Sequence, residues 1–467
     1  MLRGVRRTLL GIAALAVLAG LALGARWLWI AVHVGAGYAA KVTCSLTHLS
    51  RYERSFIDRY VAAEVAPLGS ALAVEVTAAG AEASVLGGLV RVSAVLRPEL
   101  GCTLLPGGSA ASELVGSAAP PPRRGLDPAR PWPEGEAAPA APPPAVVAEA
   151  VARAFLEPGS PRPLRQTTAV VVVQDGRLVA ERYAPGVDPA ALLLSWSMAK
   201  SVTMALVGAL VADGRLDANA PAPVPEWRAS GDPRGAITLD QLLRQSSGLA
   251  FDETYGAVND VSRMLFTRPD TGAFAAAFPL ASPPESVWSY SSGTSNIVAR
   301  IVRDAFGGDL GAMLRYARER LFDPADMTSA LVEADASGTF IGSSFVFMTA
   351  RDWARFGELF RRDGVWNGRR LLPEGWVRYA TTPTPKAPLG RYGAHWWLDA
   401  GEASAPERRA WPKLPPDTYA ARGHSGQWVM VVPSARLVVV RLGLTLPDDE
   451  DDGTQELVAE LLAALAG

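Results

Sequence analysis

The stretch Leu192-Leu193-Leu194-Ser195-Trp196-Ser197-Met198-Ala199-Lys200-Ser201-Val202-Thr203 decides how this chain of 467 residues is read. Three apolar residues lead into Ser197-Met198-Ala199-Lys200, which opens a helical run over 201–211. On a helix, positions i and i+3 share one face, so the Lys200 ammonium can reach the Ser197 hydroxyl. Serine is a poor nucleophile at neutral pH and needs an adjacent base. A lysine serves when desolvation and neighbouring charges lower its pKa. The helix N-terminus also favours negative charge developing at Ser197. By itself S-x-x-K is weak, because Ser and Lys are common. A helix capped by Ser197, with Lys200 in solvent, gives the same letters.

Two further segments add to it. Ser289-Tyr290-Ser291-Ser292-Gly293 is a polar loop after Trp288 and before a helix that starts by Asn296. A tyrosine there can share protons with the Ser–Lys pair and protonate a leaving group. A packed ring with its hydroxyl bonded is the plainer reading of Tyr290 alone. Gly423-His424-Ser425-Gly426-Gln427 stands directly before a strand over 428–432. An edge strand beside the nucleophile offers a backbone N–H, which with that of Ser197 makes a two-donor oxyanion hole. Its glycines let substrate approach the backbone closely. The plainer reading is a loop-to-strand junction. The segment also begins like the G-x-S-x-G elbow of α/β-hydrolases, but Gln427 breaks that pattern and a strand follows where a helix belongs.

Around these segments, the chain from about 146 onward reads as one large domain. Apolar stretches at 169–174 and 178–183 flank Asp175-Gly176, a strong hairpin signal. A second hairpin joins 428–432 to 437–442 through Pro433-Ser434-Ala435-Arg436. Helical patterns cover 239–244, 296–304, 310–321 and 350–363, and a closing helix covers 454–465. Strands at both ends with helices between predict an α+β fold whose antiparallel sheet is fed by both termini.

The three motifs, in this order, resemble the serine beta-lactamase and penicillin-binding protein superfamily. The closer resemblance is to its class C branch, with D-alanyl-D-alanine carboxypeptidases, esterases and 6-aminohexanoate-dimer hydrolases. Thr238-Leu239-Asp240-Gln241-Leu242-Leu243-Arg244-Gln245-Ser246-Ser247-Gly248-Leu249 and Tyr392-Gly393-Ala394-His395-Trp396-Trp397 also match its pattern, and the likeness covers roughly residues 165–465. It implies a beta-lactamase/transpeptidase-like fold with an all-helical subregion. It implies Ser197 as the acylated nucleophile, Lys200 as its base partner and Tyr290 as second general acid/base. His424 and Gly426 take the places of Lys and Gly in the Lys-Thr-Gly triad, and Gln427 offers the second oxyanion N–H. Two positions depart from the lactamase form. Ser292 stands where a beta-lactamase usually has Asn, and His424 where it has Lys. A mostly neutral histidine is a weaker clamp for a substrate carboxylate. Both departures point away from efficient beta-lactam hydrolysis and toward the aminohexanoate-dimer hydrolase and esterase branch. The implied reaction is attack of Ser197 on a small or peptide-like amide or ester, then hydrolysis of the acyl-enzyme, with no cofactor or metal. The rival function is a membrane-tethered penicillin-binding sensor or cell-wall binding module that acylates without efficient turnover.

The N-terminus speaks to the compartment. Arg3, Arg6 and Arg7 precede an uncharged apolar run over 8–25; Arg26 interrupts it, and 27–37 is apolar again. That pattern predicts an uncleaved membrane anchor with Trp27 and Trp29 in the interface belt, or a signal cleaved after Gly24. Either places the remainder outside the cytoplasm, in the periplasm or beyond. There Cys44 and Cys102, the only two cysteines, can pair; two buried thiols are the alternative. Residues 38–110 read as a small α+β unit, with a helix over 50–66 and strands at 72–77, 83–86 and 89–96. Residues 111–145, rich in Pro and Ala, read as an extended linker or as a wrap over the domain surface. A net charge of −2 disfavours nucleic acid as a partner, and four histidines with two cysteines exclude a Cys-rich zinc module. The acidic run 448–452 lacks the spacing of an EF-hand loop. His424 is the one histidine placed to matter. Loops over 250–285 and 383–420 carry Phe251, Tyr255, Trp411 and Tyr419, which either line a pocket or pack.

Overall fold

The computed structural model describes residues 2–108, 111–114, 124–137, 139, 141–159, 165–254, 258–402, 404–405, 407–446 and 452–466. Helix α1 (Leu2–His48) is continuous over 47 residues. It runs through Gly37 and Tyr38, where the sequence reading sets a boundary, and through Arg26. Its two halves differ in environment. From Leu10 to Trp29 the residues whose burial is described are exposed and, Arg26 apart, apolar, while from Ala31 on the helix is largely buried. The exposed stretch is about 30 Å long, which matches the hydrocarbon thickness of a bilayer. The helix is long and apolar enough to cross a membrane.

The buried half is rich in small residues, so neighbours approach closely. A Cβ at Gly37 would overlap the Phe266 carbonyl oxygen of a helix from the main domain. On its other side lies an antiparallel meander of β1 (Leu72–Thr77), β2 (Gly80–Val85), β3 (Val90–Arg97) and β4 (Gly101–Leu105). Between α1 and β1 the short helix α2 (Arg54–Glu64) turns toward the main domain. The chain is tied here twice. Cys44 of α1 and Cys102 of β4 form a disulfide. Lys41 forms a fully buried ion pair with Glu333 of the main domain, and Glu333 also accepts from Ser45 Oγ at 2.9 Å and Cys102 N at 2.6 Å. Replacing both cysteines by serine is expected to cost about 2–4 kcal/mol, because the unfolded chain regains the freedom of a long loop. A urea midpoint that falls with unchanged slope is the expected signature; an unmoved midpoint would show that the bridge adds nothing.

The main domain is built on a six-stranded antiparallel sheet. Its strands are β5 (Thr167–Gln174), β6 (Arg177–Tyr183), β7 (Trp397–Leu398), β8 (Tyr419–Gly423), β9 (Gln427–Val432) and β10 (Leu437–Gly443). Their order is β7-β8-β9-β10-β5-β6, so the two ends of the domain meet at β10 and β5. The runs Val170-Val171-Val172-Val173 and Leu437-Val438-Val439-Val440 show no polar alternation because both faces are covered. Val171, Val173, Val438 and Val440 enter the large core shared with α4 (Met198–Ala212) and the helix Ala350–Arg361. Val170, Val172, Leu437 and Val439 face a second core under the helices α3 (Ala145–Arg153) and Thr454–Leu465. The described part of the proline-rich segment lies on the domain surface. Arg355 donates to the carbonyls of Pro133 (2.8 Å) and Gly135 (2.7 Å), which holds the segment against the helix Ala350–Arg361.

Candidate active site

A two-residue strand, Leu193–Leu194, pairs with Val346–Met348 and feeds the turn before α4. Trp196 occupies that turn at φ +42°, a left-handed conformation that costs a bulky residue roughly 1–3 kcal/mol. Its surroundings leave it no alternative. Trp196 Nε1 donates to the Tyr60 hydroxyl at 3.1 Å, and the indole stacks on Tyr38 and abuts Phe345 and His424. Ser197 follows at the N-cap of α4, but its side chain makes no capping bond. Lys200 is 1% exposed. The reading of a capping serine with a solvated lysine therefore fails.

The Lys200 ammonium donates to Ser197 Oγ at 3.0 Å, to Ser292 Oγ at 2.9 Å and to the Ser343 carbonyl at 3.2 Å. Burial pushes its pKa down to about 8, against a smaller upward pull from the charge of Glu253. Ser292 is the first residue of α5 (Ser292–Asp304), a helix capped by Ser291, whose hydroxyl accepts from Thr294 N at 3.0 Å. The Ser292 hydroxyl in turn donates a hydrogen bond to Glu253 Oε1 at 2.8 Å, and its backbone N–H also donates to Glu253. Lys200, Ser292 and Glu253 thus form a chain of donors ending on a carboxylate.

Tyr290 stands over this pair, its ring centroid 4.7 Å from Lys200 Nζ. Trp397 and Tyr392 hold the ring at centroid distances of 5.3 and 5.8 Å. Burial raises its pKa and Glu253 adds to that, while a hydrogen bond with Ser197 and the charge of Arg422 pull the other way. The net shift is upward, so the phenol keeps its proton at neutral pH and is available as a donor.

The third segment is the hairpin between β8 and β9. Gly423 lies flat against the nucleophile turn: a Cβ there would overlap the Ser195 carbonyl and stand 3.1 Å from Ser197 N. Any side chain at this position would obstruct the Ser197 N–H. His424 Nε2 is 2.9 Å from Glu64 Oε2, and the Ser425 hydroxyl is 2.9 Å from that of Tyr60. Gly426 turns away and packs against Arg441 and Thr445; the Arg441 guanidinium donates to its carbonyl at 2.6 Å. The Gln427 side chain is buried and donates to the Ser425 carbonyl at 3.0 Å.

Several residues near Ser197 were not candidates from the sequence. Glu253 lies in a loop and belongs to no motif. Tyr38, Tyr60 and Glu64 come from the N-terminal helices. His395 is a second histidine at the site. It is buried at φ +57°, its Nδ1 lies 3.0 Å from the Lys200 carbonyl, and its backbone carbonyl accepts from Ser201 Oγ at 2.7 Å. Burial and the Lys200 charge push its pKa down to about 3, so it braces α4 as a neutral ring. Its signal lay within the Tyr392–Trp397 motif, where it served only as part of a likeness. Phe251, Trp411 and Tyr419 are core residues, packed on Phe278, Trp428 and Trp396 respectively; Tyr255 lies outside the described residues, as do residues 448–451 of the acidic run. Asp452 accepts from Trp428 Nε1 at 2.5 Å. Among the described residues no group of three or more His, Cys, Asp or Glu side chains is placed to hold a metal ion.

Ser197, Ser292, Glu253 and His424 line one end of a cleft of about 480 Å³. A buried lysine at neutral-range pKa, a hydroxyl within its reach and a protonated phenol can together move a proton onto and off a reacting centre.

The sequence matches the Beta-lactamase family over residues 152–464. A 6-aminohexanoate-dimer hydrolase of Paenarthrobacter ureafaciens is 28% identical over 261 residues, covering 50% of this chain. The chain spans 65% of that protein's length, just under two thirds. Among solved structures, EstA of Arthrobacter nitroguajacolicus Rue61a superposes with a TM-score of 0.52 at 15% identity, over 70% of this chain and 99% of the other. A family VIII carboxylesterase gives a TM-score of 0.51 at 16% identity, over 69% and 98%. At those identities the likeness to the solved structures is one of fold.

Proposed function

Since this chain belongs to the beta-lactamase family, we propose that it is a membrane-tethered serine hydrolase that cleaves an ester or amide bond through an acyl-enzyme on Ser197. In this reading α1 is the anchor, the disulfide-tied unit up to about residue 110 is docked on the hydrolase domain, and both lie outside the cytoplasm. The observation that carries it is the 3.0 Å contact between the buried Lys200 ammonium and a Ser197 hydroxyl that caps nothing.

Lys200, once neutral, takes the Ser197 proton as Oγ attacks the carbonyl carbon. The oxyanion is held by the Ser197 N–H and a second N–H from the Gly423–Gln427 hairpin. Tyr290 protonates the departing alcohol or amine, and its proton is restored through Lys200. Water then attacks the acyl-enzyme, assisted by the same groups in reverse, and Ser197 is freed. The esterase and 6-aminohexanoate-dimer hydrolase among the relatives support ester or amide substrates. The pairing of His424 with Glu64 supports a site unsuited to the carboxylate of a beta-lactam.

The test is labelling with a fluorophosphonate and a fluorescent penicillin, combined with a panel of esters, short amides and a cephalosporin. Expected is a single adduct on Ser197 with ester or amide turnover. A stable penicilloyl adduct with no turnover of any substrate would instead make the protein a sensor. The pH dependence is a second check. Because the base must be neutral, kcat/KM is expected to rise with pH and level off above about 8. Glu253 raises the Lys200 pKa, so Glu253→Gln is expected to move the half-maximal point to lower pH. A shift to higher pH, or none, would remove Glu253 from the proton chain.

A further inference from the structure

The cleft does not stop at the catalytic groups. It continues along α1 toward the N-terminus, with Trp27, Leu28, Ala31 and Val34 on one wall and Leu68 and Leu265 facing them. From Tyr38, stacked on Trp196, back to Trp27 the helix rises about 16 Å, close to the ~15 Å of hydrocarbon in one bilayer leaflet. Its far end is where α1 changes environment: Trp27 and Leu28 are about half exposed (52% and 51%), whereas Ala31 is buried. On the flank of the same turns, Arg26, Trp29, Arg263 and Arg268 line a second hollow. Arginine and tryptophan gathered at one level are the residues that sit at a membrane–water interface. The groove therefore opens where an anchored α1 would leave the bilayer.

The catalytic end has the opposite character. Two carboxylates, Glu64 and Glu253, line it, and Glu64 is spent on His424. An anionic substrate group gains little there, while an apolar chain gains contact along the whole α1 wall. The α1 wall lies outside the family match, in the segment N-terminal to residues 152–464.

We infer that the substrate is a membrane-resident amphiphile, an ester or amide of one long acyl chain, whose chain lies in the α1 groove and whose carbonyl rests at Ser197. This rests on the hydrolase reading above and adds the substrate class to it. The acyl carbon–oxygen (or carbon–nitrogen) bond breaks as the Ser197 Oγ–carbon bond forms. The Ser197 proton leaves with the head group as an alcohol or amine. One water then returns a proton to Ser197 and releases the fatty acid, so that each turnover consumes one water.

The test uses the full chain reconstituted in phosphatidylcholine vesicles, with 4-nitrophenyl acetate and 4-nitrophenyl dodecanoate as probes. Expected is a kcat/KM for the dodecanoyl ester at least ~100-fold above that for the acetyl ester, since each buried methylene adds to binding. Ala31→Trp fills the groove and is expected to lower that ratio by about tenfold or more. Leu28→Gln, at a half-exposed position where folding is insulated, is expected to lower it severalfold. Dodecanoyl ester carried in the enzyme's own vesicles should be consumed faster than the same ester in separate vesicles. A ratio near one, a ratio that neither variant moves, or equal rates from the two vesicle populations overturns the inference while Ser197-dependent acetyl ester turnover leaves the hydrolase reading standing. Absence of Ser197-dependent turnover of either ester overturns both.

Discussion

Ser197→Ala is expected to lower kcat/KM on the best ester by a factor of about 10⁴ or more and to abolish fluorophosphonate labelling. The loss is large because no other group takes over. In the proposed mechanism Lys200 is spent as the base, the Tyr290 phenol holds its proton, and water alone must attack the carbonyl. Lys200→Arg sharpens the result. The guanidinium keeps the charge and the donors but does not deprotonate at accessible pH. It should therefore cost about 10²–10⁴ in rate, the range of a lost general base. Were Lys200 only a charge that steadies the oxyanion, arginine would retain most of the activity. Retained turnover in Ser197→Ala would move the nucleophile elsewhere.

The second large effect is on stability. Lys41→Met is expected to destabilise the protein by about 3–5 kcal/mol, because it leaves Glu333 as an uncompensated charge in a fully buried position. Ser45 Oγ and Cys102 N continue to donate to that carboxylate, but neither neutralises it. The double variant Lys41→Met/Glu333→Leu should recover much of the loss, since apolar residues of similar size replace a buried pair at little or no cost. Thermal unfolding of wild type, Lys41→Met, Glu333→Leu and the double variant, in the same detergent or vesicle, measures the cycle. A single variant within about 1 kcal/mol of wild type would mean that the pair is not what fastens α1 to the main domain.

The legible parts of this molecule are those fixed by local spacing. Ser197 and Lys200 are one turn apart on a helix, so their meeting is written into four consecutive letters. The strand Leu72–Thr77 and the helix Thr454–Leu465 could be read to the residue, because turn residues bound them. The runs of valine in β5 and β10 announced strands, though not that helices cover both faces. What escaped was set by long-range packing. β4 (Gly101–Leu105) is fully buried and shows no alternation to mark it. Glu253 reaches Ser292 from a loop 39 residues earlier in the chain. Tyr60 and Glu64 read as ordinary polar positions on a short amphipathic helix, and only the docking of α2 brings them to the hairpin at 423–427. Lys41 is a charge inside a long apolar helix, and its partner lies 292 residues away.

The continuity of α1 into the body of the protein has a consequence for release from the cell. Many surface enzymes are shed when a protease cuts the stalk that joins anchor to ectodomain. Here the proline-rich stretch, whose described part over 124–137 lies on the domain surface, does not join those two parts mechanically. With α1 as the proposed anchor, the membrane stem is itself a core helix, clasped by Phe266, Glu333 and the Cys44–Cys102 bridge. A nick in the proline-rich stretch would leave a two-piece protein still seated on its own stem. In that arrangement, liberating the main domain into solution would take a cut within α1 near its exposed end, at the level where the helix leaves the other elements behind.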